Sequence, residues 1–235
     1  MSPPSATATS DPVVGPRVVA LRPELIVPPA LVITTDAGGS AAEAIRALRT
    51  DLVAQHFQAG RRALTICGAS AGVGCSFVAS NLALALSQIG MRTLLVDANL
   101  RTPALHAIFG AAASTIGLAD CLAAQEGEFG GYLHGDVQPN LSVIYAGGVP
   151  ANPQELLASR RFHQLLEFCL REFEATVLDT PPANVCADAR RVSSVTGYSL
   201  IVARRNLTYV DDVKTLATQL AADHARVVGC VLNEA

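Results

Sequence analysis

The sequence predicts an α/β fold with a doubly wound, mostly parallel sheet and helices on both faces. Several short runs, such as ALTICG at 63–68 and TLLVDAN at 93–99, are apolar along their length and lead into Gly, Asp or Asn. Strands of a parallel sheet have this composition because helices cover both of their faces. Longer segments with apolar residues at helical spacing lie between these runs. Strands that alternate with helices in this way build a three-layer domain.

The predicted elements follow one another in a regular order. The first long helix, at 40–57, has Ser40 three residues before Glu43, which is the spacing of a capping box. A second helix, at 76–90, is expected to end at Gly90. The remaining elements are strands at 63–68, 93–99, 141–148, 175–182, 198–205 and 226–233, and helices at 152–173 and 208–223.

The first 30 residues differ in composition from the rest of the chain. They hold seven prolines among Ser, Ala and Thr, and such a segment cannot bury a core. We therefore predict a flexible leader at 1–30 and one folded domain at 31–235. The leader has neither the basic region nor the apolar core of a signal peptide.

Charge and hydropathy exclude several classes of protein. The net charge is −3, which gives no reason to expect nucleic acid or an acidic membrane as a partner. No stretch reaches the roughly 20 apolar residues of a membrane span. Six cysteines lie without the CxxC spacing of a metal site, so we expect free thiols. These features predict a cytoplasmic protein that does not itself insert into a membrane.

A glycine-rich segment, GASAGVGCS at 68–76, lies between a predicted strand and a predicted helix. This is the context of a phosphate-binding loop, in which Gly, four residues, Gly, Lys and Ser or Thr follow one another. Counted from Ala69, Gly74 and Ser76 are in place, but Cys75 stands at the lysine position. Backbone N–H groups and the N-terminus of the helix can hold phosphate oxygens without that side chain. Ser76 could also ligate Mg²⁺.

Polar side chains follow several of the predicted strands. Asp97 and Asp179 end two of them, and Arg204 and Arg205 end a third. Ligands of an open parallel sheet bind beyond the carboxyl ends of the strands, so these side chains and the loop are expected to converge. The two carboxylates are placed to hold the water shell of a metal or to polarise a nucleophile. The alternative is a plain turn in which each aspartate caps the following segment.

Three motifs make the chain similar to the bacterial tyrosine kinase family of capsule and exopolysaccharide assembly. The family's loop, of the form SxxPGEGKS, matches 68–76. Its motif VDADLRxP matches VDANLRTP at 96–103, and its apolar run ending in DTPP matches VLDTPP at 177–182. The resemblance covers roughly residues 40–233. It implies a P-loop kinase-like domain whose cofactors, where they still bind, are ATP or ADP and Mg²⁺.

The resemblance assigns a set of residues to the nucleotide site. Asp97 and Asp179 are the predicted catalytic carboxylates and, together with Ser76, the predicted Mg²⁺ ligands. The predicted nucleotide-binding residues are Gly68, Ala71, Gly72, Val73, Gly74, Cys75, Ser76, Phe77, Arg101, Arg204 and Asn233.

The family also has a helix with an ExxRxxR motif, through which it builds a ring-like oligomer. Glu43, Arg46 and Arg49 match this motif, so we predict a homo-oligomer. For these three residues alone, a solvated i,i+3 charge pair is the alternative. The resemblance further implies a membrane-embedded polysaccharide co-polymerase as partner, and through it a location at the inner face of the cell membrane.

Three departures from the family pattern argue against phosphoryl transfer. Cys75 replaces the phosphate-binding lysine, and Asn99 replaces the second aspartate of the DxD motif. The sequence ends two residues after the last strand, without the family's tyrosine-rich tail, and its four tyrosines are dispersed. We therefore predict a pseudokinase that regulates the co-polymerase. A helix N-terminus lowers a thiol pKa, so we expect a lowered pKa at Cys75, but no acid–base partner for it is readable nearby.

Two alternatives stay open at this point. The chain could be an active ATP-dependent protein tyrosine kinase in which Arg101, Arg204, Arg205 or an arginine of a neighbouring subunit replaces the lysine, because arginine pairs well with phosphate. It could also be a positioning ATPase similar to ParA and MinD, which share the fold. The segment NPQELLAS at 152–159 and the ExxRxxR helix favour the polysaccharide branch.

Overall fold

The structure, a computed structural model, describes residues 30–124 and 126–234. Within them one sheet has seven strands in the order β3-β4-β2-β5-β1-β6-β7. Neighbouring strands pair in parallel, except that β3 runs antiparallel to β4. The strands are β1 (Ala63–Gly68), β2 (Thr93–Asp97), β3 (His134–Gln138), β4 (Leu141–Ile144), β5 (Ala175–Asp179), β6 (Tyr198–Arg204) and β7 (Arg226–Asn233). The predicted doubly wound, mostly parallel sheet is confirmed. The predicted leader lies outside the described residues, apart from Ala30.

Helices cover both faces of the sheet. The first face carries α1 (Val32–Thr35), α2 (Ser40–Gln55), α3 (Cys75–Gln88) and α4 (Leu105–Ile108). The second face carries α5 (Leu118–Ala123), α6 (Pro153–Leu157), α7 (Arg160–Glu172), α8 (Asp188–Thr196) and α9 (Val210–Ala222). Short 3₁₀ turns lie at Phe57–Ala59 and Phe129–Tyr132.

The central strands are buried along their whole length because both of their faces are covered. In β1, Leu64 and Ile66 face the core under α2 and α3, whereas Cys67 faces the core under α8 and α9. In β2, Leu95 lies on the first face of the sheet and Leu94 on the second. This is the alternation of side chains along a strand, and it explains why these runs have no polar face.

Two details of the predicted helices were wrong. The helix predicted at 152–173 is two helices, because the Ser159 side chain accepts a hydrogen bond from the Phe162 N–H and starts α7 as its N-cap. The predicted capping box does not form, since Gly39 is the N-cap of α2 and Glu43 instead pairs with Arg46. Strand β3 was missed, because HGDVQ is mostly polar and lies at the edge of the sheet.

The fold brings the carboxyl ends of the inner strands together. Strand β5 lies between β1 and β2, with Asp179 in register with Ile66 on one side and with Asp97 on the other. The loop after β1 and both carboxylates therefore share one edge of the sheet. Within residues 30–124 and 126–234, no helix combines the length and apolar composition needed to cross a lipid bilayer.

Candidate functional site

The loop between β1 and α3 has a backbone shape that requires glycine. Gly72 and Gly74 have φ angles of +74° and +95°, in the left-handed region that favours glycine. A Cβ at Gly74 would also lie 2.3 Å from Nδ2 of Asn233. Glycine at both positions therefore follows from the path of the loop and from the close approach of β7.

The inner side of this loop offers unpaired donors. Within the described residues, none of the N–H groups of residues 72–77 donates a hydrogen bond to another residue. The first three of these residues lie in the loop and the last three in the first turn of α3, where N–H groups have no partner inside the helix. Such a run of backbone N–H groups at the positive end of a helix binds anions.

The outer side of the loop is held by two side chains from neighbouring strands. Nη1 of Arg204 donates to the carbonyl of Gly72 at 2.9 Å. Nδ2 of Asn233 donates to the carbonyl of Val73 at 3.0 Å. Arg204 ends β6 and Asn233 ends β7, so two of the predicted nucleotide-binding residues contact the loop itself.

Two buried carboxylates lie beside the loop. The Ser76 hydroxyl donates to Oδ2 of Asp179, whereas Oδ1 of Asp179 is buried and has no hydrogen-bond partner among the described residues. Asp97 accepts from the N–H groups of Asn99, Ala104 and Leu105 at 3.1–3.2 Å. It therefore fixes the turn after β2 and the start of α4, as the plain-turn alternative also proposed.

Burial raises the pKa of both aspartates. The pKa of Asp97 rises to about 6, because loss of solvent outweighs its backbone hydrogen bonds. The pKa of Asp179 rises well above its ordinary value, first through burial and then through repulsion by Asp97. Neither carboxylate forms a salt bridge within the described part of the chain. A divalent cation would therefore be the charge that stabilises the ionised form of the pair.

These residues fit a magnesium nucleotide. Mg²⁺ prefers oxygen ligands and keeps several waters, and Ser76, Asp179 and Asp97 offer one hydroxyl and two carboxylates. Oδ1 of Asp179 and the Ser70 hydroxyl are buried and have no hydrogen-bond partner among the described residues. Bound Mg²⁺ would supply charge neutralisation at the phosphates, while the N–H groups of the loop would hold their oxygens. The metal and nucleotide roles of these residues stay predictions.

Cys75 does not have the lowered pKa expected from the sequence. Its Sγ lies 2.9 Å from the position of a Cβ on Gly68, so the thiol packs against the end of β1. Burial raises the pKa of Cys75 well above its ordinary value, and the Asp179 carboxylate and Cys67 add to the rise. These effects outweigh the hydrogen bond from the backbone N–H of Cys75, which lowers its pKa. The predicted thiolate was wrong, and position 75 presents a neutral thiol.

The arginines near this edge differ in what they contact. Nε and Nη2 of Arg101 donate to the fully buried Asp188 at 2.7 and 3.2 Å. Arg205 pairs with Glu234 at 3.3 Å, with both side chains exposed. Of the three arginines considered as lysine substitutes, only Arg204 hydrogen-bonds to the loop among the described residues. Contact of Arg101 with nucleotide stays a prediction.

Asp188 is the residue that sequence reasoning missed. It lies in the first turn of α8, far along the chain from Arg101, and the ion pair ties the turn after β2 to α8. Nothing in the sequence paired Asp188 with Arg101, because they lie 87 positions apart.

The side chain of Asn99 forms its hydrogen bonds within its own turn. Its Oδ1 accepts from the N–H of Thr102 at 3.0 Å, and its Nδ2 donates to the Thr102 hydroxyl at 3.1 Å. An aspartate at this position could accept the same N–H. The amide therefore keeps the turn intact while it removes one carboxylate from the edge of the sheet.

The predicted oligomerisation residues make contacts within one chain. Arg46 pairs with Glu43 and donates to the carbonyl of Ala37 at 2.7 Å. Arg49 lies 3.4 Å from the carbonyl of Ala85. These contacts match the i,i+3 charge pair that was the alternative, and a role in an oligomer stays a prediction.

Comparison with solved structures shows that the fold is shared with MinD. The septum site-determining protein MinD of Pyrococcus horikoshii, solved in complex with Mg-ADP, superimposes with a TM-score of 0.63 and 20% identity, over 73% of this chain and 69% of that one. At this identity the likeness shows the shared fold alone. No protein-family model matches the sequence.

Closer relatives show the family. The chain is 34% identical over 229 residues to the tyrosine-protein kinase Ptk of Acinetobacter johnsonii, which covers 97% of this chain and 31% of that protein. The kinase domain of the Escherichia coli tyrosine kinase Etk superimposes with a TM-score of 0.82 and 33% identity, over 87% of this chain and 79% of that domain. The chain belongs to the bacterial tyrosine kinase family. It spans about a third of the length of the Ptk relative.

The first prediction concerns the ion pair between Arg101 and Asp188. Arg101→Ala would leave the fully buried Asp188 without its partner. We expect a loss of about 2 kcal/mol in the free energy of unfolding, below the full cost of a broken buried pair because Arg101 is partly exposed. Arg190→Ala is the matched control, because Asp223 in that pair is itself partly exposed, and we expect less than about 1 kcal/mol. Urea denaturation measures both, and equal losses would contradict the account.

The second prediction concerns the carboxylate pair without divalent cations. A folded-state pKa above the unfolded value means that the folded protein binds protons more tightly. The contribution of Asp97 to stability is then greatest at low pH and falls as the pH rises through its folded pKa of about 6. Asp179→Asn keeps an acceptor for Ser76 and removes the carboxyl whose pKa is raised by burial and by repulsion from Asp97. From about pH 4 to about pH 7, we expect the wild type to lose more stability than this variant, because only the wild type also has to ionise Asp179.

Urea denaturation at a series of pH values measures this difference. In a second series, Mg²⁺ should reduce the loss in the wild type and leave Asp179→Asn unchanged, because the variant lacks the carboxylate. Parallel pH profiles for the two proteins would show that the folded protein does not raise the pKa of Asp179.

Proposed function

We propose that this chain is a kinase-like regulatory domain of capsule or exopolysaccharide assembly, which binds a magnesium nucleotide but does not transfer phosphate to tyrosine. One observation carries the proposal. At the position of the phosphate-binding lysine, Cys75 presents a thiol that packs against Gly68 and whose pKa is raised. The position therefore supplies no positive charge to a transferring phosphate.

The missing charge weighs more on catalysis than on binding. A charge-assisted hydrogen bond contributes about 1.5–3 kcal/mol to binding, and the backbone donors of the loop provide part of the phosphate contact without it. Phosphoryl transfer depends on charge stabilisation in the transition state. Loss of one preorganised donor there costs about a hundredfold or more in rate. Binding without transfer is the combination that this balance favours.

The partner and the assembly follow from the family resemblance. We propose a membrane-embedded polysaccharide co-polymerase as the partner, which would bring the domain to the inner face of the cell membrane. We also propose a homo-oligomer built through Glu43, Arg46 and Arg49. In support, Glu43 is exposed and the two arginines are only half-buried, so their side chains are accessible to a second copy.

An active kinase is the second candidate, and one observation favours it. Ser76, Asp97 and Asp179 keep the hydroxyl and the two carboxylates that a magnesium nucleotide requires, and Ser76 and Asp179 are already in contact. A cation from elsewhere would then have to replace the lysine. A positioning ATPase has support from the fold alone.

The test of the proposed function combines binding with product detection. Isothermal titration of the chain with Mg·ATP and blotting for phosphotyrosine are carried out on the same sample, with Asp179→Asn as the inactive control. We expect binding without phosphotyrosine. Phosphotyrosine in the wild type above the level of the control would contradict the pseudokinase and support the active kinase.

Restoring the lost charges gives a graded version of the test. Cys75→Lys should tighten Mg·ATP binding by about tenfold or more, because it restores a charge-assisted contact. Cys75→Lys with Asn99→Asp should bind more tightly still, if the two replacements are coupled losses of a cation and a carboxylate. Equal affinities for the single and double variants would show that the losses are independent.

A further inference from the structure

The turn after β6 contacts the glycine-rich loop through Arg204 and Leu207. Arg204, whose side chain reaches the Gly72 carbonyl, is itself fixed at the end of β6. Its N–H donates to the Thr208 hydroxyl at 2.9 Å, and its carbonyl accepts from the N–H of Thr208 at 2.9 Å. Leu207, in the same turn, packs 3.9 Å from the position of a Cβ on Gly72. The turn after β6 thus brings a fixed guanidinium to the loop.

The hydrogen bond to Gly72 has a consequence on the opposite side of the same peptide group. The carbonyl of Gly72 and the N–H of Val73 belong to one planar trans peptide, so they point in opposite directions. A guanidinium that holds the carbonyl outward therefore holds the Val73 N–H inward. Asn233 acts in the same way on the next peptide, because it holds the Val73 carbonyl and so orients the N–H of Gly74.

The charge of the guanidinium adds to this orientation. A hydrogen bond from an ionised donor is roughly twice as strong as a neutral one, and a polarised carbonyl makes the N–H of its own peptide a better donor. Among the described residues, Arg204 is the one cationic side chain that hydrogen-bonds to residues 68–76. Arg101 forms a salt bridge with Asp188, and Arg205 forms one with Glu234.

We propose that Arg204 is a positioning residue of the nucleotide site, which holds the Gly72–Val73 peptide so that its N–H faces a diphosphate. This inference rests on the proposed function, since it concerns the same site. It explains how the loop keeps an anion-binding shape although position 75 has no charge. The ligand it serves is the diphosphate group, whether as inorganic pyrophosphate or as part of ADP.

The experiment compares Arg204→Gln with Arg205→Gln, a neighbouring arginine whose partner Glu234 is exposed. Isothermal titration with Mg·ADP and with magnesium pyrophosphate measures the affinities. We expect Arg204→Gln to weaken both ligands by about tenfold, the scale of one hydrogen bond to a charged group. Arg205→Gln should stay within about twofold of the wild type. Arg204→Lys, which keeps one charged donor, should recover most of the loss.

Each other outcome overturns the inference in a distinct way. Equal affinities for Arg204→Gln and Arg205→Gln would show that the contact with Gly72 does not organise the loop. A loss for ADP without a loss for pyrophosphate would show that Arg204 serves the nucleoside and not the diphosphate.

A Cys75→Lys background separates this inference from the proposed function. If Arg204 acts through the peptide, Arg204→Gln should cost the same factor in the wild type and in Cys75→Lys. A cost that vanishes beside the new lysine would mean that Arg204 substitutes directly for the lost charge, which contradicts a positioning role. If the wild type binds neither ligand, the proposed function fails, and Cys75→Lys with and without Arg204→Gln still tests Arg204. If Cys75→Lys binds neither ligand as well, both proposals fail.

Discussion

The hydrogen bond from Ser76 to Asp179 joins the glycine-rich loop to the middle of the sheet, and the rest of the site depends on it. Asp179 is fixed by the pairing of β5 with β1 on one side and with β2 on the other. The same pairing places Asp97 beside it. One buried carboxylate thus sets the position of the first turn of α3, and through α3 the direction of the loop N–H groups. Its second oxygen stays without a hydrogen-bond partner among the described residues.

The fold could be predicted where the sequence has uniform composition. The buried strands are apolar because helices cover both faces, and such apolar runs can be recognised in the sequence alone. The break between α6 and α7 at Ser159 could not be predicted, because the apolar spacing continues across it. A single N-cap hydrogen bond divides the two helices. Strand β3 was missed for the opposite reason, because a polar edge strand lacks the pattern of the buried ones.

The site was predictable to the extent that strand ends define it. Asp97, Asp179 and Ser76 could be proposed from the sequence because each follows or precedes a strand or helix that the sequence pattern predicts. The partner of each arginine was not predictable, because Asp188 and Glu234 lie far from Arg101 and Arg205 in the sequence. The pKa of Cys75 was predicted in the wrong direction, because the helix terminus is visible in the sequence whereas burial against Gly68 and the nearby Asp179 carboxylate depend on tertiary packing.

We propose that the molecule retains the oxygen ligands and the backbone donors of a nucleotide site but lacks the charge that phosphoryl transfer needs. ³¹P nuclear magnetic resonance of Mg·ATP with a stoichiometric amount of the chain tests this directly, because one spectrum reports both binding and turnover. The account predicts shifted or broadened phosphate resonances with no growth of ADP or phosphotyrosine signals. Conversion of ATP to ADP and phosphotyrosine, or a spectrum identical to that of free Mg·ATP, would contradict it.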